Sequence, residues 1–238
     1  MRIPLIYIPK TRIKRFLNIE KRYKCEHHIV PIGCDCHPAH TLKSLNLRNF
    51  SLPFDWLNMD PLKSIEYVTK NISDGFANFL NNLKRNEKGF YVSQEYPYVE
   101  FMHEQQLETS NSRNKFLRRI NRLLQIVQQK NVVYIHNLPV NSISSERDIN
   151  LYIKSVQLFQ SKISTNLHIY LRYDENLYEN NKLADKMFIE LSTIGIKTYK
   201  YVRGLTDKGV WGDERAYTNL FKGLDIKLKT RFPKIYVT

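Results

Sequence analysis

The chain has 238 residues, 42% of them hydrophobic, and carries a formal charge of +14. That length suits a single domain able to bury about 70–75% of its unfolded surface. No run approaches the ~20 apolar residues of a membrane-spanning helix, and the three clustered cysteines behind a leaderless N-terminus argue against a disulfide framework and for reduced, cytoplasmic thiols.

The charge is uneven. Met1–Lys24 carries eight Lys or Arg against Glu20 alone, and Arg113–Lys130 adds six basic residues and no acid. Such patches suit nucleic acid, an acidic membrane surface or an anionic polymeric substrate, although solvated helix faces explain them equally well. No zinc-finger, RNA-binding or helix-turn-helix signature accompanies them. The division expected is a basic N-terminal extension, residues 1–24, ahead of one catalytic domain, residues 25–238.

In chain order, residues 10–24 read as a basic helix with Ile13, Phe16 and Leu17 on one face. A short β run, His28–Ile32, ends in Gly33; the chain then turns through Cys34, Asp35 and Cys36 into a helix opened by Pro38, which suits a first helical position. Ser51–Trp56 is a loop carrying Asp55. Asp60-Pro61 reads as the start of a helix burying Leu62, Ile65, Val68 and Ile72. Gly75–Gly89 reads as a connection, and Tyr91–His103 as an edge strand or two short strands broken near Pro97. Ser112–Gln129 is a helix with Phe116, Leu117, Ile120, Leu123, Leu124 and Val127 on one stripe. Beyond it the pattern alternates: strand Asn131–His136, a helix capped at Ser145, strand Leu167–Leu171, a helix closed by Gly195, and strand Ile196–Val202. A helix over Asp213–Lys222 and a strand over Lys234–Val237 complete the chain.

Strands alternating with helices through short links predict an α/β domain, an open and mostly parallel sheet flanked by helices. Ligands gather beyond the carboxyl ends of such strands. Those ends are Gly33–Cys36, His136-Asn137, Arg172–Asp174 and Arg203-Gly204.

Cys36 stands ahead of a helix N-terminus, where unpaired N–H groups and the macrodipole favour a thiolate. The surrounding residues, Gly33-x-x-Cys36-x-x-Ala39, then Leu42, Leu47-Arg48 and Pro53-Phe54-Asp55-Trp56, resemble the opening signature of a family labelled papain-like cysteine peptidases. Pro31-Ile32 replaces the family's Ser-Leu before the glycine. His103-Glu104 is similar to its histidine–acid step, Lys115-x-x-Arg118-Arg119 to its basic helix, and Trp211 to its late tryptophan. The resemblance implies a cysteine hydrolase or acyl-transfer enzyme with Cys36 as nucleophile and His103 as base, and a papain-like α+β fold as the alternative architecture. The residue pattern itself keeps His136 open as base, since it is placed at a strand end beside Asn137. Asp55 orients a base, holds a substrate donor or fixes its own loop.

Other readings compete. Trp56, Arg172, Asp174 and Arg203 are candidate substrate-binding residues, and the two arginines suit a phosphate or carboxylate. They keep open group transfer from an anionic, nucleotide-linked donor to a glycan. Cys25, His28, Cys34, Cys36, His37 and His40 contain enough ligands for zinc but follow no standard spacing. No cofactor-binding motif is present, so no cofactor is expected. A non-catalytic polyanion binder is the third reading.

Overall fold

A computed structural model describes residues 2–9, 14–174, 181–204 and 209–238. The chain begins with β1 (Arg2–Tyr7), β2 (Lys14–Lys24) and β3 (His28–Pro31), followed by α1 (His37–Ser44). An insertion then carries β4 (Asn58–Met59), α2 (Ser64–Ser73), β5 (Leu83–Arg85), β6 (Tyr91–Ser93), β7 (Val99–Phe101) and α3 (Ser110–Val127). The regular half follows as β8 (Val132–Pro139), α4 (Glu146–Lys162), β9 (Leu167–Asp174), α5 (Lys182–Thr193), β10 (Lys197–Arg203), α6 (Tyr217–Gly223) and β11 (Lys229–Val237).

The alternating half does what its periodicity predicts. Strands β10-β9-β8-β3 form a four-stranded, all-parallel sheet. Every residue of β8 is buried, as expected of a strand covered on both faces. Tyr134, Leu138, Ile169 and Leu171 pack with Tyr152, Val156 and Phe159 of α4 and Met187 and Leu191 of α5. Val133, Ile135 and Tyr170, on the opposite face, pack with Leu42 of α1 and with Leu220 and Phe221 of α6. Each such side chain contributes about 1.5–3 kcal/mol on burial. The result is an α/β fold with helices on both sides of an open sheet. The antiparallel sheet β4-β7-β6-β5 belongs to the insertion, while α1 rests on β8 of the parallel sheet.

Local signals set several boundaries. Ser145 accepts from Asp148 N through its side chain and starts α4. Gly195, at φ +81°, ends the turn after α5, a conformation that costs glycine little. Tyr91–His103 resolves into β6 and β7, the two-strand alternative.

Four local expectations are corrected. The segment expected to be a basic helix is, over Lys14–Lys24, the central strand of a third sheet, β1-β2-β11. Long-range pairing with a C-terminal strand overrides its weak helical pattern. Asp60 caps only a turn, through Leu62 N, and α2 begins at Ser64. The stretch Gly75–Gly89 contributes β5. Leu117, placed on the buried stripe of α3, is half-exposed. No helix among the described residues is long and apolar enough to cross a membrane.

Candidate active site at the carboxyl edge of the parallel sheet

Strand β3 delivers the chain to the sheet's carboxyl edge, and Gly33 makes the turn there possible. A Cβ on Gly33 would lie 2.1 Å from Asn137 Oδ1 and 2.4 Å from Pro38 Cγ. The side chain of β8 and the first turn of α1 therefore close over a bare backbone. Gly33→Ala is expected to cost about 1–3 kcal/mol through forced displacement of these neighbours. A urea titration measures the loss; an unchanged midpoint would mean that the turn has room to spare.

Beyond the glycine, the two cysteines part ways. Cys34 is sealed in the core, its thiol directed at Asn137 O at 3.5 Å, and burial pushes its pKa far up. Cys36 is half-buried and is the N-cap residue of α1. No disulfide forms. The expected depression of the Cys36 pKa is corrected: burial and then the Asp35 charge push the thiol up. The short α1 dipole does not offset a neighbouring carboxylate.

Asp35 is the hub of the edge. Its Oδ1 accepts from His37 N and from Asn137 Nδ2, both at 2.9 Å, and its Oδ2 accepts from Arg172 Nη1 at 2.6 Å. Burial opposes ionisation, yet the Arg172 guanidinium and the donors hold this carboxyl below its usual range. One register step along the sheet, Arg203 donates to Asp174 through Nε at 3.0 Å, with Nη2 at 2.7 Å. Arg172, Asp174 and Arg203 thus reach the one edge expected of them, but each arginine is already matched by a carboxylate. Asp35 and Arg172 line a cleft of roughly 430 Å3 that also includes Tyr98, Lys88 and Glu100 from the insertion.

The histidines fall in different places from those the pattern suggested. His136 does not sit at a strand end, because β8 continues to Pro139. It is fully buried between Ser64 Oγ (2.7 Å from Nε2) and Tyr152 Oη (2.9 Å from Nδ1), and burial lowers its pKa to about 3. Both nitrogens are occupied and solvent is excluded, so the base role considered for His136 has no geometric support. His37 is also buried, against Tyr170 Oη at 2.6 Å; burial, then Arg172, lowers it to about 3. His168 bonds Leu224 O and Asn166 within the strand layer.

A second polar cluster gathers the remaining motif residues. Asp55, sealed from solvent, accepts from Arg48 Nη2 at 2.6 Å, Arg48 Nε at 3.1 Å and Leu52 N at 2.9 Å. Burial pushes its pKa up, opposed by Arg48 and the Leu52 N–H, and the contacts fix its own loop. Arg48 lies over the Trp56 ring at 5.0 Å, and Trp56 meets His103 edge-on at 5.6 Å. Glu104 pairs with Lys115 at 2.5 Å and Arg119 at 3.7 Å. Arg122 donates to Ser51 O. Part of the basic stripe Arg113–Lys130 is therefore spent inside the molecule. No side-chain hydrogen bond joins His103, His40, Asp55 or Trp56 to Cys36 among the described residues.

The sequence reading considered His40 only as a metal ligand. His40 lies four residues after Cys36 on α1, with His40 N donating to Cys36 O at 2.9 Å, so the two side chains leave one helix face. Its ring stacks on Trp211 at 3.9 Å, and its Nε2 is 3.5 Å from Glu214 and 3.3 Å from Ser44 Oγ. Nδ1 makes no hydrogen bond among the described residues. Burial lowers the His40 pKa, opposed by Glu214, which leaves the ring neutral near pH 7. The Cys36–His40 spacing was visible in the sequence; the carboxylate and tryptophan from the far end of the chain were not.

The cysteine–histidine cluster does not close on a metal. Cys25 stands by His27 at the amino end of β3, while Cys34 and Cys36 follow its carboxyl end. No three His, Cys, Asp or Glu side chains are grouped to hold an ion among the described residues.

A half-buried thiol at the mouth of a helix, on the carboxyl edge of a parallel sheet, is the layout of an α/β protein built around a cysteine. The chain belongs to the family described as "Putative papain-like cysteine peptidase (DUF1796)", which matches residues 27–169. A 50-residue stretch is also 40% identical to Uncharacterized protein R408 of Acanthamoeba polyphaga mimivirus, covering 21% of this chain and 22% of that protein. The chain therefore matches well under two thirds of that relative's length. No solved structure matches.

Proposed function

We propose that the protein is a cysteine-dependent hydrolase or acyl-transfer enzyme with Cys36 as nucleophile, His40 as general base and Glu214 orienting that base. The observation that carries the reading is the neutral His40, one helical turn from the half-buried thiol, stacked on Trp211 and facing a carboxylate. In the reaction, His40 Nδ1 takes the Cys36 proton as the sulfur attacks an acyl carbonyl. A thioester forms, and the leaving group departs with the proton that His40 returns. Water or an acceptor nucleophile then releases the acyl group. The groove lined by His40, Lys43, Ser44, Glu214 and Arg215 is the proposed place for the substrate. Its mixed charges favour polar acyl substrates, a peptide among them. His40 takes over the base role expected of His103, which rests on Trp56. Donor-linked group transfer is weaker as a reading, because Arg172 and Arg203 already hold Asp35 and Asp174.

Two measurements test this. First, iodoacetamide labelling of Cys36, read by mass spectrometry, is expected to rise at higher pH than that of a free thiol, because burial and the Asp35 charge hold the resting thiol protonated. A thiolate already formed at pH 6 would contradict that. Second, an activated acyl thioester is expected to leave a stable mass increment on Cys36. His40→Gln should slow acylation at pH 7.5 by about 10²–10⁴-fold while leaving alkylation at pH 10 unchanged. Acylation in the Cys36→Ala variant at wild-type rate would sink the proposal.

A further inference from the structure

The third sheet, β1-β2-β11, is the part of the molecule that neither the cleft nor the motif cluster uses. Its strands bring residues from the two ends of the chain together and contain nine Lys or Arg and one acid, Glu20. Arg22 stands directly opposite Arg231 in the β2–β11 register, an arrangement of like charges that disfavours pairing. Neither arginine has a carboxylate partner among the described residues, whereas Glu20 opposite Lys234 is taken by Tyr236. The irregularity in β11 between Arg231 and Lys234 holds Phe232 and Pro233, and Phe232 is 93% exposed. Phe232 and Pro233 line one groove with Arg22, Lys24 and Arg231, whereas the exposed Ile3, Ile235 and Val237, in register with Leu17 and Ile19, leave the other face of the sheet. The groove side of the sheet thus sets one exposed ring among arginine and lysine side chains.

We propose that this sheet docks the protein on an anionic lipid bilayer, with Phe232 entering the headgroup layer and Arg22, Lys24 and Arg231 meeting lipid phosphates. Charge complementarity selects the occupant. A net +8 across the three strands repels a second copy of the same sheet. Nucleic acid would be expected to meet a series of aromatics on which successive bases stack, but the groove presents a single one, Phe232, beside Pro233. An acidic bilayer rewards both features, through apolar insertion and through attraction to its surface potential. The inference does not depend on the role of Cys36.

The test is sedimentation of the full chain with vesicles of phosphatidylcholine alone or mixed with phosphatidylserine, at low and high salt. Binding is expected to the mixed vesicles only and to fall in high salt. Neutralising Arg22→Gln and Arg231→Gln together should weaken it about 25-fold, on a scale of about fivefold per basic residue. Phe232→Ser should weaken it about tenfold, and this fully solvated position decides the matter if the double variant fails to fold. Cys36→Ala should bind as wild type. Equal binding to both vesicle types, no binding, an undiminished Phe232→Ser variant, or displacement from vesicles by single-stranded RNA without loss in that variant would each overturn the proposal.

Discussion

Between pH 7.5 and pH 5 the protein is expected to lose about 4 kcal/mol of stability through two buried histidines. His37 and His136 are both lowered to about 3 by burial. In the unfolded chain each returns to about 6.5 and takes up a proton as the pH falls. The unfolded state then binds more protons than the native one, so stability is fully present above pH 6.5 and drains away towards pH 3. Each histidine contributes about 2 kcal/mol of that loss by pH 5. The groups facing them do not rescue the charged form. His37 meets Tyr170, Tyr201 and Tyr217, with Arg172 and Arg203 opposing its protonation and Asp35 favouring it. His136 meets Ser64 and Tyr152, with Asp35 the charge that acts on it. Urea midpoints measured across this range should fall steeply, and His136→Gln should remove about half the slope. A flat profile down to pH 5 would show that neither ring is held neutral.

Replacing Arg172 by Met is expected to cost about 3 kcal/mol above the carboxylate range, because it leaves Asp35 charged at the sheet edge with no cation beside it. Removing one partner of a buried pair costs more than removing both. The figure sits at the low end for such pairs because the Asp35 side chain keeps 25% exposure. Asp35→Asn in the same chain should restore most of the loss, since an amide retains acceptor capacity towards His37 N. The sign with pH follows from the depressed Asp35 pKa. The pair contributes stability above the unfolded carboxylate value, and that contribution disappears as the pH falls through the folded value. The variant and the native protein should therefore converge in acid. A single variant as stable as the native chain at pH 7 would mean that the Asp35–Arg172 contact is solvated and weak.

These expectations concentrate at one edge of one sheet, and that edge was the most legible feature of the sequence. Strand-to-helix alternation after residue 131 forces parallel crossovers, and parallel strands put their ends together. Gly33, Cys36, Arg172, Asp174 and Arg203 could be placed there from periodicity alone. His136 could not, because three further apolar or polar residues, Asn137, Leu138 and Pro139, extend β8 past the point where its β-branched run ends. The thiol's electrostatics were likewise misjudged. A helix mouth favours a thiolate, but Asp35 beside it and the burial of Cys36 outweigh eight residues of helix dipole.

What the sequence by itself determined is the set of local choices: the glycine turn, the Pro38 helix start, the Ser145 cap, the parallel half of the fold and the motif that marks the family. Those depend on neighbours a few residues apart, whose propensities are written side by side. Only the tertiary structure decided which distant groups meet. Glu214 and Trp211 come to His40, Asp35 captures Arg172, and a strand starting at Lys229 turns a seemingly helical N-terminus into sheet. Contacts across such separations depend on how whole layers pack, and no local pattern encodes the partner at the other end.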